Sequence, residues 1–147
     1  MVLWLAGFFA ILFAASHDVV GAVTGVVAAG AGAMELHGVS LLRNGYAGGV
    51  RWLVRSQALL LLAILAYAAA RIWQMDLEVL VGRITPDLDK RLEELAWSRE
   101  QFAALALRVY QWGYGALALG SLIYQGLMMR YYARSRAAIE QALSGFV

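Results

Sequence analysis

The residues able to do chemistry in this chain are few, and they sit inside apolar sequence. "GVVAAGAGAMELHG", Gly25 to Gly38, carries one carboxylate, Glu35, two positions before His37. Further along, Tyr110, Tyr114, Ser121, Tyr124 and Gln125 recur at spacings of three, four and seven, so a helix would put them on one face with Leu117 and Met128. A carboxylate in company with phenols, a hydroxyl and an amide offers proton exchange or cation coordination. The same stripe also reads as a polar seam in a bundle core, because buried phenols and amides need partners wherever they sit.

Other chemistry is excluded. With no cysteine there is no disulfide, thiol nucleophile or thiolate metal site. His17 and His37 would lie about 30 Å apart on a continuous helix, so they cannot share one metal or haem within a protomer. A single histidine as axial ligand to a pigment has no supporting motif. The chain has no phosphate loop, no zinc helix and no serine triad. The expectation is therefore no enzyme, no metal and no cofactor.

The elements that must position Glu35 and the stripe follow from composition. Of 147 residues, 62% are hydrophobic and 15% charged, with a single proline, and the mean hydropathy is +0.65. Such a chain reads as an integral membrane protein. A net charge of +2, with arginines flanking the apolar blocks, marks topology rather than nucleic-acid binding. Three apolar blocks cover residues 2–42, 56–75 and 103–129, and the first is about twice the length one span needs. Ser16-His17-Asp18 interrupts it with helix-starting chemistry. "MVLWLAGFFAILFAAS" lacks the basic residues of a signal peptide, so a retained short helix is expected in place of a cleaved leader.

The fold expected is all-α, a polytopic membrane bundle forming one domain over 1–147. Its helices fall at about 2–15, 18–42, 49–81 and 86–136, the first one short. The last two extend beyond the bilayer as an antiparallel hairpin, because apolar residues recur at helical spacing on both sides of "VGRITPDL", whose turn is 82–85. Arg43, Arg51 and Arg55 place the 43–55 loop in the cytoplasm, and Arg130, Arg134 and Arg136 place the C-terminus there. Residues 76–102 then lie outside, with the cell (inner) membrane as the location. Between Asp76 and Glu100 seven acidic residues face four basic ones, either a solvated face or a docking surface for a protein partner.

On the 18–42 helix, Gly21, Gly25, Ala28, Gly32 and Glu35 share one side, at about 100° per residue. Small residues so spaced let another helix approach closely in lipid. Glu35 lies about two-thirds of the way to the cytoplasmic side and needs protonation or a basic partner, for which Arg43 and Arg55 are the candidates. Two functions fit. One is a homo-oligomer conducting protons or cations along the helix interface bearing Glu35. The other is a non-conducting accessory or scaffold subunit, held through its small-residue face and acidic outer hairpin.

Overall fold

The computed structural model describes residues 18–144, which are helical throughout apart from short connections, with no strand among them. The helix expected at 2–15 lies outside the described residues. The helices are α1 (Val19–Arg43), α2 (Gly49–Gln74), α3 (Leu77–Gly82), α4 (Pro86–Glu94) and α5 (Arg99–Ser144). They fall into two compact units, one joining the chain up to Tyr67 with the chain from Leu119 on, the other Ala68–Ala118.

In the first unit, Asp18 caps α1 by accepting a hydrogen bond from the Gly21 amide at 3.0 Å. The other end stops at Gly45, whose φ of +81° only glycine adopts without strain. That turn lets the Tyr46 amide donate to Leu41 O at 2.9 Å and the Gly45 amide to Leu42 O at 3.1 Å, satisfying the last carbonyls. Three successive tight turns, with the amides of Gly49, Val50 and Arg51 donating three residues back, then start α2.

The two helices meet backbone to backbone. A Cβ built on Gly38 would come within 2.9 Å of Gly49 O and 3.1 Å of Trp52 Cβ and Leu53 Cδ2. One built on Gly49 would fall onto Gly38 O. Neither glycine belongs to the small face expected from the sequence, where Gly49 stands only as the start of the 49–81 helix. Around the contact Ala31, Val50, Leu53 and Ser56 are buried, Ser56 donating to Leu53 O at 2.8 Å. The His37 ring stands edge-on to Trp52, with centroids 4.9 Å apart.

Both long helices expected from the sequence are broken. The 49–81 helix stops at Gln74 because Asp76 starts a new one, accepting from the Val79 amide at 2.8 Å. The 86–136 helix stops at Glu94, and Ser98 and Gln101 start α5 by reciprocal 3.1 Å bonds between each side chain and the other's amide. Between these caps Ala96 takes a φ of +54°, and the Trp97 amide donates to Leu92 O at 2.9 Å. This is the helix stop seen at Gly45, built here with a residue that carries a Cβ. The tip itself turns between Gly82 and Pro86, with Thr85 capping α4.

Helices α1 and α2 are long and apolar enough to cross a membrane, yet only 17% and 28% of their most apolar stretches is buried. The core helix of a soluble protein would be mostly buried. α5, where residues 103–129 were expected to supply a third span, does not reach the same hydropathy. The tyrosines, glutamine and serine of its polar stripe interrupt the apolar run.

Two outcomes follow for stability. Gly38→Ala and Gly49→Ala should each destabilise the first unit by about 1–3 kcal/mol through overpacking, whereas Gly30→Ala, with nothing within 4 Å of its Cβ position, should be neutral or stabilising. Reversible unfolding in detergent separates them, and equal effects at all three sites would rule out the close approach. Ala96→Gly should stabilise the second unit by about 1 kcal/mol by relieving the left-handed backbone, read as slower amide exchange in residues 86–97.

Candidate functional site

Glu35 is half-buried on α1, three residues from Gly38 and four from Ala31. It thus borders two faces. One, with Ala31 and Gly38, meets α2, and the other is the small face of Gly21, Gly25, Ala28 and Gly32. Gly21 and Gly32 are buried, Gly25 and Ala28 half-buried. Gly38 faces Leu53, and Gln57 lies four residues beyond Leu53 as Glu35 lies three before Gly38. Because the chain reverses between α1 and α2, both side chains occur at about one level, roughly 5 Å beyond the glycine contact.

Among the described residues no basic side chain neutralises Glu35. It forms no ion pair with Arg43 or Arg55, and both arginines are exposed. Arg55 is two residues from both Leu53 and Gln57, about 200° around the helix and so on its outer side. Arg43 is eight residues from Glu35, about 12 Å along the axis. The Tyr132 phenol on α5 is near enough to Glu35 to feel its charge. Tyr132 was absent from the stripe read off the sequence, although its spacing of seven from Gln125 places it on the same face.

The stripe itself is divided. Tyr110 and Tyr114, both half-buried, belong to the second unit with ring centroids 4.7 Å apart. Ser121, Tyr124 and Gln125 belong to the first. There Ser121 is half-buried, Gln125 buried at 4% exposure and Tyr124 outward at 60%. Adjacent residues on a helix are about 100° apart, so Tyr124 and Gln125 cannot both face inward. Among the described residues Gln125 Oε1 is buried without a hydrogen-bond partner, a state that costs about 1–3 kcal/mol unless a donor is supplied. Gln57, 6% exposed, also makes no side-chain hydrogen bond. Among the described residues no cluster of three or more histidine, aspartate or glutamate side chains is placed to hold a metal ion.

The segment of α4 and the start of α5 in the second unit is the other candidate. Leu92 is buried, but Leu95 and Trp97 are exposed beside Glu93 and Glu94. Arg99 clamps α4 to the start of α5 by donating two hydrogen bonds to the Asp89 carboxylate. Those bonds, and the guanidinium charge, hold the Asp89 carboxyl below the usual carboxylate range. Glu100 is also lowered, by a backbone amide and by Ser98. A carboxylate lowered in the folded state stabilises above its unfolded pKa and loses that contribution only as pH falls through the folded one.

Asp89→Asn should therefore speed amide exchange in residues 86–98 about two- to fivefold at neutral pH, the scale of an exposed pair. Wild type and variant should converge only below about pH 4; convergence already at pH 6 would show that the clamp is not formed. No protein family, no curated protein and no solved structure matches the chain.

Proposed function

We propose that the chain is a small integral membrane protein whose copies associate and conduct protons or cations along a helix interface bearing Glu35. Bilayer residence is supported by the low burial of α1 and α2 and by large apolar side chains that stand exposed along α1, α2 and α5. Trp73 at the end of α2, 90% exposed, suits one interface, and Tyr46 beside Arg43 and Arg51 suits the other. On this reading α5 is the third span. Its reduced hydropathy is that of a helix with a polar inner side, and residues 43–55 lie in the cytoplasm.

The observation that carries conduction is the half-buried Glu35 with no cationic partner. A carboxylate at that depth costs a few kcal/mol unless it is protonated, paired or hydrated. With arginine pairing absent, a carboxylate that exchanges protons with water, or meets hydrated cations, is the arrangement left. Three or four helices enclose no lumen of their own, so the path runs where copies meet. Exposed Leu95 and Trp97 beside the hairpin acids favour the second reading, an accessory or scaffold subunit with a protein docked outside.

Vesicles containing the purified protein test the choice. Wild type should dissipate a pH or potassium gradient faster than empty vesicles, and Glu35→Gln should lose about nine-tenths or more of that flux, the loss expected when a group worth about 1.4 kcal/mol of barrier is removed. Wild-type vesicles as tight as empty ones would sink conduction and leave the scaffold reading.

A further inference from the structure

Four arginines of the first unit stand without an acid. Arg51 and Arg55 on α2, and Arg130 and Arg134 on α5, are exposed and make no hydrogen bond or ion pair among the described residues. Each pair is spaced i,i+4, so its two guanidinium groups share one side of their helix, an arrangement that repulsion disfavours. No aspartate or glutamate lies within four residues of any of them. The second unit differs, since Arg83, Lys90, Arg91 and Arg99 each have an acidic residue within four positions.

Both pairs face away from the interior of their unit. Arg51 and Arg55 are each two residues from buried Leu53, about 200° around α2, and Arg130 and Arg134 are about 140° and 180° around α5 from buried Gln125. On those outer sides the helices continue with apolar side chains in the open. Leu62 lies seven residues from Arg55, Ile123 seven from Arg130 and Leu127 seven from Arg134, two turns along and nearly in line, and all three are exposed. Exposed Tyr46 and Tyr131 add the aromatic residues typical of the headgroup level at this end of the apolar blocks.

Resting on the bilayer reading but not on conduction, we infer that each arginine pair holds the phosphate of an anionic phospholipid, whose acyl chains run along Leu62 on α2 and along Ile123 and Leu127 on α5. Arginine fits the task, because its planar fork gives two parallel hydrogen bonds to phosphate oxygens where an ammonium gives a point charge. The bound phosphate stands in for the missing carboxylate and offsets the repulsion within the pair. Charge alone would accept any polyanion, but a nucleic acid or free phosphate leaves the aligned leucines and isoleucine unused. A ligand charged at one end and hydrocarbon at the other matches the order of side chains along each helix. A zwitterionic lipid carries its own ammonium beside the phosphate and gains less.

Lipid retention by the full chain, purified in detergent and weighed intact by native mass spectrometry, tests the sites. Two molecules of dioleoylphosphatidylglycerol per chain should stay bound at about a tenth of the concentration needed for dioleoylphosphatidylcholine. Arg51→Gln with Arg55→Gln should lose one of them and Arg130→Gln with Arg134→Gln the other, whereas Arg83→Gln with Arg91→Gln should keep both. Equal retention of the two lipids by wild type, or both molecules kept when all four arginines are replaced, overturns the inference. Displacement by an equal amount of inorganic phosphate or of a single-stranded oligonucleotide overturns a lipid as the occupant. Location is read on wild type, with no variant to fold: phosphatidylglycerol carrying a photoactivatable group in its acyl chain should label α2 near Leu62 and α5 near Ile123 or Leu127, and labelling confined to other segments overturns the sites. A chain that stays behind when vesicles are floated on a density gradient removes the bilayer reading and the sites with it, while one that floats yet shows no lipid preference removes the sites alone.

Discussion

The backbone contact of Gly38 with Gly49 is the constraint on which the first unit depends. Hydrocarbon gives two apolar helices no reason to associate, so association must come from packing and hydrogen bonding at close range. Two glycines remove the side chains that would hold α1 and α2 apart, and each carbonyl lies where the other's Cβ would be. Once that point is fixed, the helical repeat fixes the rest. Ala31 turns inward two helical turns before Gly38, Leu53 and Ser56 are buried beside the contact, and Glu35 and Gln57 arrive at one level. The short turn held by Gly45 makes the contact cheap, since it reverses the chain within a few residues of where the glycines meet.

The same register leaves the polar groups without the partners that would silence them. A helix cannot rotate Glu35 toward Arg43 or Arg55 without withdrawing Gly38 from Gly49, because all of these positions ride on two rigid rods. Removing the carboxylate and the buried amide would relieve a penalty of about 1–3 kcal/mol for each unmet group. Apolar residues at those positions would pack as well. Their presence in otherwise apolar helices is what separates a conducting reading from one of simple packing.

The all-helical class was legible because apolar blocks longer than a span state themselves in composition, and the turn at 82–85 because Thr85-Pro86 carries its own start signal. The two helix breaks were legible too but lay under a stronger pattern. Apolar periodicity runs through Met75 and Leu95 without pause, while the caps at Asp76 and at Ser98-x-x-Gln101 are local and short. The candidate site was half visible. Glu35 and Gln125 stand out as residue types, but which neighbours in a stripe face inward depends on the helix phase, and only a packed partner sets that phase. Tyr124 and Gln125 show the consequence, one outward and one buried. The Gly38–Gly49 contact was not visible, since glycine beside a turn usually marks the turn itself.

Two turns, one in each unit, are built from one motif at different cost. At the α1–α2 turn the left-handed position is glycine, free of strain, and the helices beyond it are locked by their closest contact. At the α4–α5 turn it is Ala96, which pays for a conformation that glycine adopts freely, and the clamp beside it is an ion pair open to water. Local stability follows such differences, because segments with few buried contacts and strained turns open first. Exposed Leu95 and Trp97 therefore sit on the element least tightly held, whereas Glu35 and Gln125 sit in the unit held by backbone contact. A rigid frame keeps the spacing of Glu35 and Gln125 fixed, whereas Leu95 and Trp97 ride on a segment that opens more readily.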